Sequence, residues 1–126
     1  MAKFVYKGKG MEEIEKMSLE EFSKLINSRA RRSLKRGLPE TQKKLLEDMR
    51  KSPQKFHRTH CRDMVVIPEM VGKKIGLYNG KEYVTIDIKD YMLGHRLGEF
   101  AVSRKQVKHS APGFGATKSS KFVPLK

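Results

Sequence analysis

Apolar positions follow two different spacings along this chain. Between residues 19 and 34, Leu19, Phe22, Leu25, Ile26, Ala30 and Leu34 recur three or four residues apart, which aligns them on one face of a helix. Ser18, followed three residues later by Glu21, predicts its start, because in such a capping box each side chain meets the other residue's free backbone N–H. Gly37 and Pro39 predict its stop. A second, shorter helix is predicted over residues 41–51, with Leu45, Leu46 and Met49 apolar and Pro53 ending it. Beyond this point the spacing shortens. Met64, Val65, Val66 and Ile67 form an unbroken apolar run closed by Pro68, which predicts a buried strand. Residues 75–78 and 82–88 flank Asn79-Gly80, and Val84, Ile86 and Ile88 alternate with Tyr83, Thr85 and Asp87. Alternation around Asn-Gly predicts a hairpin with a type I′ turn, which needs φ > 0 at both central residues. Asp90 then reads as the cap of a short helix over residues 91–98, limited by Gly94 and Gly98 to about a turn or two.

The predicted fold is therefore α+β. It combines an N-terminal helical pair, a small, mostly antiparallel three-stranded sheet, a short helix and a basic, extended C-terminal tail. The sections are a helical N-terminal extension at residues 1–56, an α+β core at 57–102 and the tail at 103–126.

Charge sharpens this division. The 126 residues include 28 Lys+Arg and 14 Asp+Glu, a formal net charge of +14. Residues 1–56 hold 15 basic and 8 acidic side chains, residues 57–102 hold 7 and 6, and residues 103–126 hold 6 and none. A near-neutral middle is thus flanked by two basic arms, and a polyanion is expected to neutralise them. Hydrophobic residues make up 37%, enough for one modest core but not for a large catalytic domain. No run of about 18 apolar residues exists to span a bilayer. A helix lying on a membrane carries Lys and Arg along one whole face with Trp, Phe or Leu opposite. Here the first half of the long helical region is acidic and Trp is absent, which favours nucleic acid over lipid. The opening MAKFVYKGKG carries no apolar stretch of a secretion signal, and Cys61, the single cysteine, cannot form an internal disulfide. Both point to the reducing cytoplasm.

Catalytic and metal chemistry find little support. His57, His60, Cys61 and Asp63 lie close in sequence, but a zinc site wants paired ligands at defined spacing, and Lys55, Arg58 and Arg62 surround them with positive charge. Cys61 with a histidine lacks an orienting group and an oxyanion hole, so no enzyme is expected. No Gly stands five residues before a Gly-Lys pair, and Gly72-Lys73-Lys74-Ile75-Gly76 is one residue too long for a KH clamp. No cofactor is expected.

The basic residues carry the functional signal. Residues 12–21 contain Glu12, Glu13, Glu15, Glu20 and Glu21 against Lys16 alone, whereas residues 29–36 contain Arg29, Arg31, Arg32, Lys35 and Arg36 with no acid. Complementing a helix dipole accounts for one or two such residues at each end, not five in eight positions. Arginine's planar fork pairs with phosphate through two bonds and stacks on bases. Arg58, Arg62, Arg96 and Arg104 join the cluster as RNA-contact candidates. The last 24 residues, rich in Gly, Ser, Pro and Lys, are expected to be disordered alone and to order on RNA.

Three motifs in order, Pro68-Glu69-Met70-Val71-Gly72, Tyr78-Asn79-Gly80-Lys81 and Gly94-His95-Arg96-Leu97-Gly98-Glu99-Phe100, resemble the universal small-subunit ribosomal protein of family nineteen. The extension, with Arg31-Arg32-Ser33-Leu34-Lys35-Arg36-Gly37, and the tail from Pro112 to Lys126 resemble its archaeal and eukaryotic branch, most closely the archaeal form. Met64-Val65-Val66-Ile67 and Ala101-Val102-Ser103-Arg104 depart from the bacterial pattern. The resemblance implies a structural protein that binds rRNA in the subunit head with small-subunit protein thirteen. It also implies a place near a bridge to the large subunit, with a tail approaching the decoding region and tRNA. On the motif positions it implies rRNA contacts by His57, Arg58, Arg62, His95 and Arg96, and in the tail by Lys105, Lys108, His109, Lys118 and Lys121. Gly80, Gly94 and Gly98 read as turn and close-approach positions. The competing reading is a free nucleic-acid chaperone or DNA-compacting protein.

Overall fold

The computed structural model describes residues 2–109. Its first element is a hairpin, β1 (Val5–Tyr6) and β2 (Lys9–Gly10), pairing Val5 with Gly10 and Tyr6 with Lys9. Lys7 and Gly8 between them have φ of 50° and 82°, the signs a type I′ turn requires. Four helices follow: α1 (Met11–Lys16), α2 (Leu19–Leu25), α3 (Ser28–Lys35) and α4 (Glu40–Lys51). Then come β3 (His57–Thr59), β4 (Lys74–Tyr78) and β5 (Tyr83–Asp87), interspersed with 3-10 turns at Pro68–Met70, Asp90–Met92 and Leu97–Phe100.

The α+β class stands, with five corrections of detail. The short helix expected over residues 91–98 behind an Asp90 cap is two separate 3-10 turns, with Lys89 at the N-cap of the first and Asp90 inside it. The helix predicted from Ser18 to Gly37 is two helices. Its capping box is present, with Ser18 Oγ accepting from the Glu21 N–H at 3.3 Å and the Glu21 carboxylate accepting from the Ser18 N–H at 3.1 Å. At Ile26 and Asn27, however, ψ moves to 170° and 162°, and the Asn27 side chain caps a new start by accepting from the Ala30 N–H at 2.9 Å. The apolar face still works across the break, because Phe22, Ile26, Ala30 and Leu34 are all buried.

The apolar run at residues 64–67 is not a strand. All four residues are buried, and the run pairs through one bridge, Val65 with Arg96, supported by bonds from Val66 N–H to His95 O and Leu97 N–H to Met64 O. The third strand of the sheet is instead β3, which lies parallel to β4, with His57, Arg58 and Thr59 opposite Ile75, Gly76 and Leu77. Only the β4–β5 pair is antiparallel, so the sheet is mixed, in the order β3-β4-β5.

The predicted hairpin is β4–β5, but Tyr78 pairs with Tyr83 and leaves a four-residue loop. Within it Gly80 alone has positive φ, 104°, and Asn79 Oδ1 accepts from the Lys81 and Glu82 N–H groups at 2.9 Å. The asparagine side chain thus makes the turn, and type I′ is not formed here.

One core joins the helices to the sheet. Ile14, Phe22, Ile26, Ala30 and Leu34 share a buried cluster with Met64, Val66, Ile75, Leu77, Leu93 and Leu97. Residues of sections 1–56 and 57–102 therefore stabilise each other through the same apolar burial.

Candidate nucleic-acid interface

The core dictates which way α3 turns its charges. Ala30 and Leu34 face inward, and at about 100° per residue Arg29, Arg32 and Arg36 fall on the opposite side with Lys35 beside them. All four are exposed, and among the described residues none takes part in an ion pair.

Arg31, in the same cluster, is turned differently. Its Nε donates to Ser23 O at 3.1 Å, and its Nη2 to Ile26 O at 3.1 Å and to Lys24 O at 3.4 Å. These carbonyls belong to the last turn of α2 and the break after it, where no intrahelical N–H remains to meet them. Arg31 therefore staples α2 to α3.

Two other candidates are also anchors. Arg62 is half-buried, donating through Nη1 to Tyr78 O at 2.9 Å and through Nη2 to Gly98 O at 2.9 Å and Ala101 O at 2.6 Å. It ties the end of β4 to the last 3-10 turn. A Cβ on Gly98 would lie 3.0 Å from Arg62 O, so the glycine is a close-approach position. Arg96 Nη1 donates to Asp63 O, and its Nη2 to Ser33 Oγ at 2.9 Å, linking α3 to the core.

The remaining candidates face outward or sit near the surface. Arg58 is exposed with its guanidinium carbon 5.4 Å from the Tyr83 ring centroid. His57 Nε2 lies 3.0 Å from Ser52 O, and His95 Nδ1 lies 2.6 Å from Glu99 Oε2. Arg104, Lys105, Lys108 and His109 are exposed on a segment without regular secondary structure, where Arg104 and Lys105 line an open groove of about 630 Å³ with residues 79–82. Lys118 and Lys121 lie outside the described residues.

Other charges have local tasks. The two-bond pair of Arg50 with Glu69, both contacts at 2.9 Å, holds the Glu69 carboxyl below the usual carboxylate range and raises the Arg50 guanidinium. Burial raises the Tyr6 phenol. Among the described residues no group of three or more His, Cys, Asp and Glu side chains is placed to hold a metal, and no helix is long and apolar enough to cross a membrane. His60, considered from sequence only as a metal ligand and not as an RNA contact, packs its ring 4.5 Å from that of Tyr78 and 5.5 Å from that of Tyr83. The sequence held no signal for this packing, since β3 is too short to show alternation and the two tyrosines come from other strands.

An arginine-rich helix face is exposed on a small α+β fold and held in place by arginines bonded to neighbouring groups of the chain, an arrangement compatible with a polyanionic partner. The model of the family described as Ribosomal protein S19 matches residues 32–109, well over half of the chain, and the chain belongs to that family. It is accordingly a structural constituent of the small ribosomal subunit that binds rRNA and serves translation, located in the ribosome in the cytoplasm. The family is one of ribosomal constituents rather than enzymes.

Proposed function

We propose that this chain binds rRNA in the head of the small subunit, beside small-subunit protein thirteen and near the decoding region and an intersubunit bridge. The archaeal and eukaryotic branch fits the extension and the tail. The observation that carries the contact assignment is the outward face of α3, where Arg29, Arg32, Lys35 and Arg36 are exposed and unpaired among the described residues. Arg58, His57, His95, Arg104, Lys105, Lys108 and His109 extend the contact surface, and Lys118 and Lys121 add to it from the tail. Arg31, Arg62 and Arg96 act mainly by positioning, since their donors are committed to carbonyls and a hydroxyl of the protein.

Affinity on this reading comes mostly from phosphate contacts and from the shape of the folded RNA. The test compares the purified full chain on the head domain of small-subunit rRNA and on arbitrary duplex DNA at equal salt. Clear preference for the rRNA, with cofractionation of tagged protein and small subunits, supports the reading. Equal affinity for both would favour a general nucleic-acid chaperone or DNA-compacting protein.

A further inference from the structure

The β3-β4-β5 sheet buries one face and, among the described residues, leaves the other open. Register places Ile75 beside Ile86 and Leu77 beside Val84 toward the core, and Arg58, Gly76 and Thr85 in one row on the opposite face. In the next row Tyr78 pairs with Tyr83, and His60, just beyond β3, packs against both. Phe56, just before β3, lies over Gly76 so closely that a Cβ there would be 2.6 Å from its ring. The open face thus carries four rings and an arginine.

This arrangement is not a misplaced piece of core. Phe56 is 40% and Tyr83 is 38% exposed, and Arg58 and His60 are exposed as well. The rings fix one another: Tyr78 and Tyr83 lie 5.3 Å apart, His60 meets Tyr83 edge-on, and His60 Nε2 is 2.9 Å from the Tyr83 hydroxyl. Arg58 stands over the Tyr83 ring. Scattered exposed aromatic residues need no explanation, whereas a contiguous set held in place by its own contacts does.

We propose that this open sheet face is a stacking platform for an unpaired RNA base, with Tyr83 and Arg58 supplying the π surface and His60 and Tyr78 holding it rigid. Every base has a π face, so rings and guanidinium planes accept it whatever its identity, and Arg58 also offers donors to the adjoining phosphate. A net charge of +14 favours a polyanion over a protein as the occupant. The site is built from other elements than the α3 face and would select single-stranded rRNA where α3 meets phosphates. It rests on the rRNA-binding reading above.

The test uses the full chain with a head-domain rRNA fragment, and with an unpaired oligonucleotide and an RNA duplex of equal length. Tyr83→Leu should weaken binding of the head fragment on the order of tenfold, while Tyr83→Phe, which keeps the ring but loses the hydroxyl, should stay within about twofold. In the unaltered protein, the Tyr83 ring protons should shift upfield on adding the unpaired oligonucleotide and not on adding duplex. A Leu variant that melts like the parent and binds like it, or a ring signal that does not move, would overturn the platform and leave the rRNA reading standing. Failure of the parent protein to prefer the head fragment would overturn both.

Discussion

Replacing Arg62 by Met tests whether an arginine of the candidate interface is an anchor. The substitution keeps most of the aliphatic stem and removes the three bonds to Tyr78 O, Gly98 O and Ala101 O. A hydrogen bond from a charged donor contributes roughly 1.5–3 kcal/mol, so a simple sum is about 4.5–9 kcal/mol. That sum is too large. Tyr78 and Gly98 are half-buried and water can replace the lost donor at their carbonyls, whereas Ala101 is fully buried and its carbonyl bears the desolvation cost. The expected loss is about 3–5 kcal/mol, which for a domain of this size lowers Tm by more than about 10 °C. Urea and thermal unfolding followed by far-ultraviolet circular dichroism measure it, with Arg58→Met as the surface control, expected within about 0.5 kcal/mol of the parent. A loss below about 1 kcal/mol for Arg62→Met would refute the anchoring argument and return Arg62 to the free contacts.

Asn27→Ala should cost about 1 kcal/mol in urea unfolding because the cap on Ala30 N–H is lost; a gain in stability would mean that residue 27 sits inside a continuous helix, where Ala is favoured. Glu69→Gln should cost less than about 1 kcal/mol at neutral pH, the pair being solvent-exposed, and the cost should shrink with salt. Because the folded Glu69 carboxyl is held below its ordinary value by Arg50, the parent's advantage is present above the ordinary carboxylate range and is lost as pH falls through the depressed one. An advantage that persisted in strong acid would contradict that cause.

The parts of the fold written in local chemistry were legible, and the parts decided by distant contacts were not. Ser18 and Glu21 sit three residues apart and need only each other, so the start of α2 could be read directly. The break at Ile26 could not, because the apolar spacing runs straight through it and the Arg31 side chain that meets the freed carbonyls looks like one more surface base. Met64, Val65, Val66 and Ile67 announced burial correctly, but an apolar run does not say whether its backbone pairs as a strand. β3, the short polar segment His57–Thr59, has no periodicity to detect, and its place is set by β4 alongside it. Asn79-Gly80 located the hairpin, yet the Asn side chain closed the loop in place of the paired positive φ values that occur instead at Lys7-Gly8.

The candidate interface divides in the same way. Composition picked out the arginines as a set, while orientation separated Arg29, Arg32 and Arg36, which face solvent, from Arg31, Arg62 and Arg96, which hold the protein's own backbone. No spacing rule distinguishes Arg31 from Arg32. One helical step, about 100°, does.

If the outward face of α3 carries phosphate contacts, the salt dependence of head-domain rRNA affinity must register their loss. Arg29, Arg32 and Arg36 are reversed together to Glu, and the slope of log affinity against log salt is compared with that of the parent. The variant's slope should be shallower by about 0.7–0.9 for each lost contact, with a melting temperature close to the parent's. An unchanged slope in a folded variant would contradict the phosphate contacts.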